Sequence, residues 1–325
     1  MSAHILLVSE ENFGICINRG VYGCVMPSKE WNKAEIIAGV LSIEPDDLVF
    51  FYVKNKGIYG LWKVVGNPYF DETKIWNNES QLFPFRFSFN STVGNFPKPI
   101  SLNDILDLHD RGRIWTFDLN PVQQKNQYKI TMDEARELLR LILRNNPIRK
   151  PVSSISDFYI PKSYQNIEVD YSTCQSGRFR YEGWLNAWFI QTLAHGDLKN
   201  LLGDYREFIN LVPTSFNKVM DIFLTHVTTM DGIDVPHKYT CIELKTERAD
   251  EQDLTQILRY EDWLARKLSA GDHDMVQSVL VAGRFSDQLV EYVRNRRRIE
   301  EKVVRLVAYH VNEQIPEVIL TEVDI

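Results

Sequence analysis

Lys218-Val219-Met220-Asp221-Ile222-Phe223 and Cys241-Ile242-Glu243-Leu244-Lys245-Thr246 are the two runs whose reading decides the fold of the C-terminal half of this chain. Both are short and rich in apolar and β-branched residues, and both read as strands. Between them stands Asp231-Gly232-Ile233-Asp234, and Asp221 and Glu243 each lie 11 residues from Gly232. An antiparallel hairpin turning near that glycine sets the two carboxylates opposite each other on neighbouring strands, about 5 Å apart at Cα. Side chains alternate along a strand, so Glu243 and Lys245 share one face while Leu244 takes the other. The expected product is a surface with two carboxylates and one ammonium.

Such a surface suits phosphodiester hydrolysis. Hard oxygen ligands hold Mg²⁺, and the ion lowers the pKa of a bound water and neutralises charge building on the phosphate. A lysine beside it can position the water or stabilise the transition state. Taken alone, a D-x(n)-E-x-K arrangement is more often a solvated sheet face than a site. The flanks shift that balance: Asp221 and Glu243 sit within the apolar runs VMDIFL and CIELK, and a buried carboxylate needs a partner or a metal. Downstream, Gln256 and Tyr260 are one helical turn apart on an expected helix at 253–268 whose other face carries Leu254, Ile257, Leu258 and Leu264. Packed behind the hairpin, that helix aims Gln256 at the site.

Working outward, 182–202 reads as a helix, 278–282 as a strand, 287–298 as a helix and 303–311 as a strand. This order implies an α/β sheet flanked by helices. Upstream, Asn145-Asn146-Pro147-Ile148-Arg149-Lys150-Pro151-Val152-Ser153-Ser154 breaks the pattern with two prolines and a polar run. We therefore expect a first domain at 1–147, a linker at 148–160 and a second domain at 161–325. Within the first, 5–8, 48–53, 58–65 and 85–89 read as strands, with helices near 33–41 and 102–106. Thr131-Met132-Asp133-Glu134 is a capping box opening a helix with Leu138, Leu139, Leu141 and Ile142 on one face. The sum is a small, mixed, barrel-like α/β unit.

Bulk properties bound the function. With 325 residues, 44% hydrophobic and 25% charged, the chain is an ordinary globular protein long enough for two cores. The start MSAHILLVSEEN lacks the basic and apolar regions of a signal peptide, and no run approaches the ~20 apolar residues of a membrane span. A cytoplasmic protein with no membrane partner is expected. Cys16, Cys24, Cys174 and Cys241 are too irregularly spaced for a zinc site and read as buried thiols. The net charge of -7 concentrates in residues 151–325, which hold 19 Lys/Arg against 27 Asp/Glu, so nucleic acid must be met by patches. Arg178 and Arg180, just before Glu182, are placed for a phosphate; Arg294-Asn295-Arg296-Arg297-Arg298 reads at least as well as a solvated helix end. His195, His226 and His237 have no metal-ligand spacing and are taken as structural.

The segments opening at Glu182 and running through MDIFL, IELK, QILRYEDWL, VLVAGRF and VRLVAYHV resemble the PD-(D/E)XK nucleases, especially their NucS-type and RecB-type branches. The resemblance spans roughly residues 175–312. It implies a helix carboxylate at Glu182, metal-binding carboxylates at Asp221 and Glu243, a catalytic lysine at Lys245, a supporting glutamine at Gln256, and Mg²⁺ as cofactor with Mn²⁺ able to substitute. The long 228–238 connector departs from the pattern.

Aromatic residues crowd the loops of the first half: Tyr22, Trp31, Trp62, Tyr69, Trp76 and Phe83. Loop aromatics can stack on a flipped or single-stranded base. They can equally fill a small core, the preferred reading for Trp62. ILLVSEENF, RGVYG, DLVFFYVKNKGIYGLWKVV, KIWNN and FPFRF resemble the EVE and YTH branches of the PUA-like superfamily over about residues 4–90, with the 131–144 helix continuing the EVE-like pattern. The resemblance implies a modified-base pocket with cage positions at Tyr22 and Trp76, and Glu10 falls near an expected base-contacting polar position. Pairing the two domains implies a modification-dependent DNA endonuclease of restriction type. A repair or structure-specific nuclease, and a nucleic-acid-binding protein with an inactive nuclease fold, are the alternatives. One centre cuts one strand, so double-strand cleavage favours a homodimer.

Overall fold

The computed structural model describes residues 2–77, 81–92, 96–117, 125–148, 155–312 and 314–325. The chain divides into two compact units, Met1–Glu168 and Val169–Ile325. The division falls later than the linker expected at 148–160, of which 149–154 lie outside the described residues. Residues 155–168 belong with the first unit because their polar groups are satisfied there: Asp157 N and Tyr159 N donate to Asn18 O and Arg19 O at 3.1 and 2.9 Å.

The first unit runs β1 (Ala3–Val8), α1 (Glu10–Arg19), β2 (Val21–Cys24), α2 (Glu30–Leu41), β3 (Leu48–Val53), β4 (Gly57–Phe70), β5 (Phe85–Ser91), α3 (Leu102–Asp110), β6 (Gln127–Ile130), α4 (Met132–Asn145) and β7 (Gln165–Asn166). Its sheet has the order β2-β5-β4-β3-β1-β6, with β7 added against β4. β1 pairs in parallel with β3 and the other pairs are antiparallel. Consecutive strand residues point to opposite faces, and β3 uses both. Phe50 enters a core with Ile5, Leu138 and Ile142, while Phe51 packs edge-on against Trp62 at 5.2 Å and Phe13 at 5.5 Å. Trp62 is thus a packing residue, as expected. The capping box of α4 is present, and buried Glu134 also accepts from Trp115 N and Thr116 N at 2.6 and 2.8 Å, tying the preceding chain to the helix start.

The second unit runs β8 (Cys174–Gln175), β9 (Arg178–Phe179), α5 (Glu182–His195), α6 (Lys199–Leu202), β10 (Glu207–Pro213), β11 (Val219–Met230), β12 (Ile233–Ala249), α7 (Glu251–Leu268), β13 (Val276–Phe285), α8 (Asp287–Glu300), β14 (Val304–Asn312) and β15 (Glu317–Glu322). Six strands form one sheet in the order β10-β11-β12-β13-β14-β15. α7 and α8 are the crossovers that let β12, β13 and β14 run parallel. The single helix expected over 182–202 ends at His195, because Gly196 adopts φ 79° as a left-handed cap.

The 228–238 connector is not a loop. β11 and β12 continue through it as an exposed ribbon closed by Asp231 and Gly232, both at positive φ (52° and 79°), the signature of a two-residue type I′ turn. Near the tip Met230 pairs with Ile233, and Val227 with Pro236. A bulge follows, after which His226 pairs with Lys238 and Ile222 with Ile242.

Candidate functional site

One step beyond the Ile222–Ile242 pair stand Asp221 and Glu243 on adjacent strands; the turn falls at Asp231-Gly232 rather than on Gly232 alone, and the bulge restores the register that equal 11-residue spacings about Gly232 predict. Asp221 is 8% exposed and Glu243 2%. Asp221 Oδ2 accepts from Leu244 N at 2.7 Å, and Asn186 of α5 donates to the Asp221 carbonyl at 3.5 Å. Glu243 Oε1 accepts from Lys245 Nζ at 2.7 Å and from Gln256 Nε2 at 2.6 Å. The same Gln256 nitrogen lies 2.7 Å from Tyr260 Oη, which donates to Val219 O at 2.9 Å, so α7 is pinned to β11 behind the site. Lys245 Nζ also faces Glu182 at 3.6 Å and Asp253 at 3.9 Å. Glu182, Asp221, Glu243, Lys245 and Gln256 are therefore brought together. Asp253 joins them unforeseen, because its place in the capping box of α7 gives it a structural reading.

Burial and crowding of like charge set the electrostatics. Burial first, then the Glu243 and Glu182 charges, raise the Asp221 carboxyl well above the usual range. Burial pushes Glu243 up to about 7 against the opposing pull of Lys245, with Glu182 and Asp253 adding to the rise. Burial also raises Glu182, with Lys245 opposing. For Lys245, burial disfavours the ammonium, but Glu243, Asp221 and Glu182 outweigh it and the pKa rises. Glu243 Oε2 is buried with no hydrogen-bond partner. Among the described residues no three His, Cys, Asp or Glu side chains converge to hold a metal. The pair Asp221 and Glu243 leaves the rest of a coordination sphere to other oxygens, as Mg²⁺ commonly accepts.

The basic residues are less open than expected. Arg178 is half-buried, paired with Glu247 at 2.7 Å and lying over Gly283, where a Cβ would stand 2.5 Å from its Nε. Arg180 is exposed, its guanidinium 5.2 Å from the Tyr181 ring. Within the α8 run Arg296 is buried against Glu261 at 2.6 Å. His226 bridges Asp204 O and Thr240 Oγ1 at 2.9 and 2.8 Å, a structural role.

In the first unit a small pocket, open to solvent, is lined by both Tyr22 and Trp76 together with Asn12, Cys16, Phe83 and Asn126. The Tyr22 ring rests on Phe87 and Phe51 at 5.6 and 6.1 Å, and its hydroxyl donates to Asn126 O at 2.8 Å. Burial raises the Tyr22 hydroxyl far above its ordinary pKa, so it stays a neutral donor. Trp76 is 8% exposed and 5.2 Å from the Phe83 ring. Gly23 admits it: a Cβ there would lie 2.7 Å from Trp76 Cη2 and 2.9 Å from Phe83 O. Glu10 does not line the pocket; it begins α1 and faces Lys56 at 3.4 Å. Asn12 and Cys16 were missed with α1 itself. Ser9, whose side chain accepts from Asn12 N, followed by Glu10 and Glu11 in the first turn, was the available signal. Cys16, Cys24 and Cys241 are buried free thiols and Cys174 is half-buried. Among the described residues no helix is long and apolar enough to cross a membrane.

A Methanocaldococcus jannaschii protein, MJ1369, is 26% identical over 136 residues, covering 37% of this chain and 86% of that one. A crystal structure of a Pseudomonas putida protein overlaps 44% of this chain and all of its own at TM-score 0.32 and 13% identity. A repair endonuclease from Pyrococcus abyssi overlaps 32% of this chain and 41% of its own at TM-score 0.24 and 21% identity. Both structural overlaps have TM-scores below 0.5 and assign no role to either unit. The family model of the EVE domain matches residues 31–141, and the first unit of this protein therefore contains a PUA-like EVE domain.

Proposed function

We propose that this protein is a modification-dependent DNA endonuclease, whose first unit holds a modified base in the Tyr22–Trp76 pocket and whose second unit hydrolyses phosphodiester bonds. The observation that carries the reading is the convergence of Glu182, Asp221, Glu243, Lys245 and Gln256, from α5, β11, β12 and α7, around a Glu243 oxygen that no protein donor satisfies.

The donor set fits a hard divalent cation. Both carboxylates are buried, their pKa values are raised first by that burial and then by neighbouring carboxylates, both of which a cation would offset, and Oε2 of Glu243 is free to take it. Asp221 and Glu243 would hold Mg²⁺ or Mn²⁺, which supplies an acidified water and charge neutralisation at the phosphate. The protein's own groups do the rest. Leu244 N fixes the rotation of Asp221, and Gln256 fixes that of Glu243. Lys245, kept protonated by its acidic neighbours, donates hydrogen bonds to a phosphate oxygen or to the attacking water. In the first unit, a flat base entering between Trp76 and Tyr22 exchanges water for aromatic and amide contacts.

Digestion of matched plasmids carrying no modification, N6-methyladenine or modified cytosines, in Mg²⁺ and in EDTA, tests this. Cleavage confined to a modified plasmid in Mg²⁺ is expected. Equal cleavage of all plasmids would replace it with a repair or structure-specific nuclease, and no cleavage of any would replace it with a binding protein.

A further inference from the structure

Behind the pocket lies a fully buried charge whose cost needs a reason. Arg86 on β5 is 1% exposed. Its Nε donates to Phe83 O at 2.7 Å, its Nη1 to the Tyr159 hydroxyl at 3.1 Å, and its Nη2 to Thr73 O. Asp71 lies 3.4 Å from Nη1 and accepts from the Tyr159 hydroxyl at 2.6 Å and from Lys162 N at 3.2 Å. The guanidinium centre stands 5.2 Å from the Trp76 ring and 5.4 Å from that of Tyr159. Phe83 and Trp76 line the pocket, and Thr73 lies three residues before Trp76 in the irregular segment after β4.

Burying an ion pair gains little stability over apolar packing, so a retained one is better explained by the geometry that it imposes. Here the planar fork of Arg86 ties together two of the three chain segments that carry the pocket aromatics, those of Trp76 and Phe83, with its cation against the indole. What holds the fork in turn comes from residues 155–166: Tyr159 caps it, Tyr164 stacks on Tyr69 at 5.1 Å, and β7 pairs with the end of β4. This segment lies outside the matched 31–141 stretch.

We propose that the segment 155–166 is a working part of the base pocket, with Tyr159, Asp71 and Arg86 acting as positioning residues that set the Trp76 wall. The inference rests on the reading of that pocket as a base site. Its consequence is that discrimination between bases depends on side chains that never touch the base.

The test uses the full-length protein in EDTA, titrated with a duplex oligonucleotide that is unmodified or carries 5-methylcytosine, 5-hydroxymethylcytosine or N6-methyladenine. Tyr159→Phe should lower the modified-to-unmodified affinity ratio by about fivefold, the size of one buried hydrogen bond. Arg86→Lys, which keeps charge and loses the fork, should lower it at least as much. Acrylamide quenching of Trp76 emission, taken as the difference from the matching Trp76→Phe protein, should rise in both variants. Wild-type ratio and quenching in both variants overturn the inference alone. A wild-type protein with no preference for any modified duplex overturns the reading of the pocket, and this inference with it.

Discussion

Gln256 donates its side-chain amide to Glu243 Oε1 at 2.6 Å and thereby gives the two oxygens of one carboxylate different duties. Oε1 is occupied by Gln256 and Lys245, and Oε2 is left buried and unpartnered. Asp221→Ala, Glu243→Ala and Lys245→Ala should each abolish cleavage without unfolding the protein. Gln256→Ala should lower kcat by about 10- to 100-fold, the usual scale for a residue that orients a ligand. Wild-type turnover by a purified, folded Asp221→Ala or Glu243→Ala protein would remove the assignment.

Metal dependence follows from the oxygen donors. Cleavage should require Mg²⁺ or Mn²⁺, with Zn²⁺ a poor substitute because the proposed ligands are carboxylate oxygens. Mg²⁺ should also raise the melting temperature of wild type, since a ligand bound only by the folded state stabilises it, and it should not do so for Glu243→Ala. Full activity in excess EDTA would contradict this.

The acidic cluster predicts a pH effect on stability. The folded pKa of Glu243, about 7, lies above its unfolded value of about 4.3. The folded state therefore binds the extra proton, and stability is lost as pH rises from the unfolded value through the folded one. Metal-free Glu243→Gln should accordingly be more stable than wild type at pH 8, by a few kcal/mol at most, and the advantage should vanish near pH 4. Denaturant melts at the two pH values in EDTA measure it; an equal difference at both would contradict the cause.

In the first unit, Tyr22→Ala and Trp76→Ala should each weaken binding of modified duplex by about tenfold or more, a loss near 1.4 kcal/mol, with salt-dependent phosphate binding little changed. Gly23→Ala should reproduce the Trp76→Ala phenotype, because its methyl meets the Trp76 ring and the fixed Phe83 carbonyl. Retention of the preference by all three proteins would show that the base, if bound, lies elsewhere.

The sequence shows what local periodicity controls. Alternation puts Glu243 and Lys245 on one face of β12, and the one-turn spacing puts Gln256 and Tyr260 on one face of α7, because strand and helix periods are fixed by backbone geometry; that Asp221 stands level with Glu243 depends also on the bulge at His237. α1 was hidden because Gly14, Ile15 and Ile17 are poor helix residues, leaving only its cap as a sign. β10 and β15, the strands at the two edges of the second sheet, are short and carry charged or proline ends. The Arg86 cluster was beyond reach for another reason. Tyr159 and Asp71 are 88 residues apart, and their meeting is a property of the tertiary fold with no local pattern to announce it.

The bulge between the ribbon tip and the site works like the offset in a vernier scale. Counted back from the Met230–Ile233 pair alone, Asp221 would face Ile242; the extra residue at His237 advances β12 by one and brings Glu243 level with it. Length changes in this arm are therefore not equivalent. Adding one residue to each strand at the Asp231-Gly232 turn keeps the alignment and only lengthens an exposed arm. Deleting His237 alone, though it is exposed, would put the two carboxylates out of step across the hairpin. Kinship with this centre in longer or shorter chains is then a matter of parity across the arm, whatever residues occupy it.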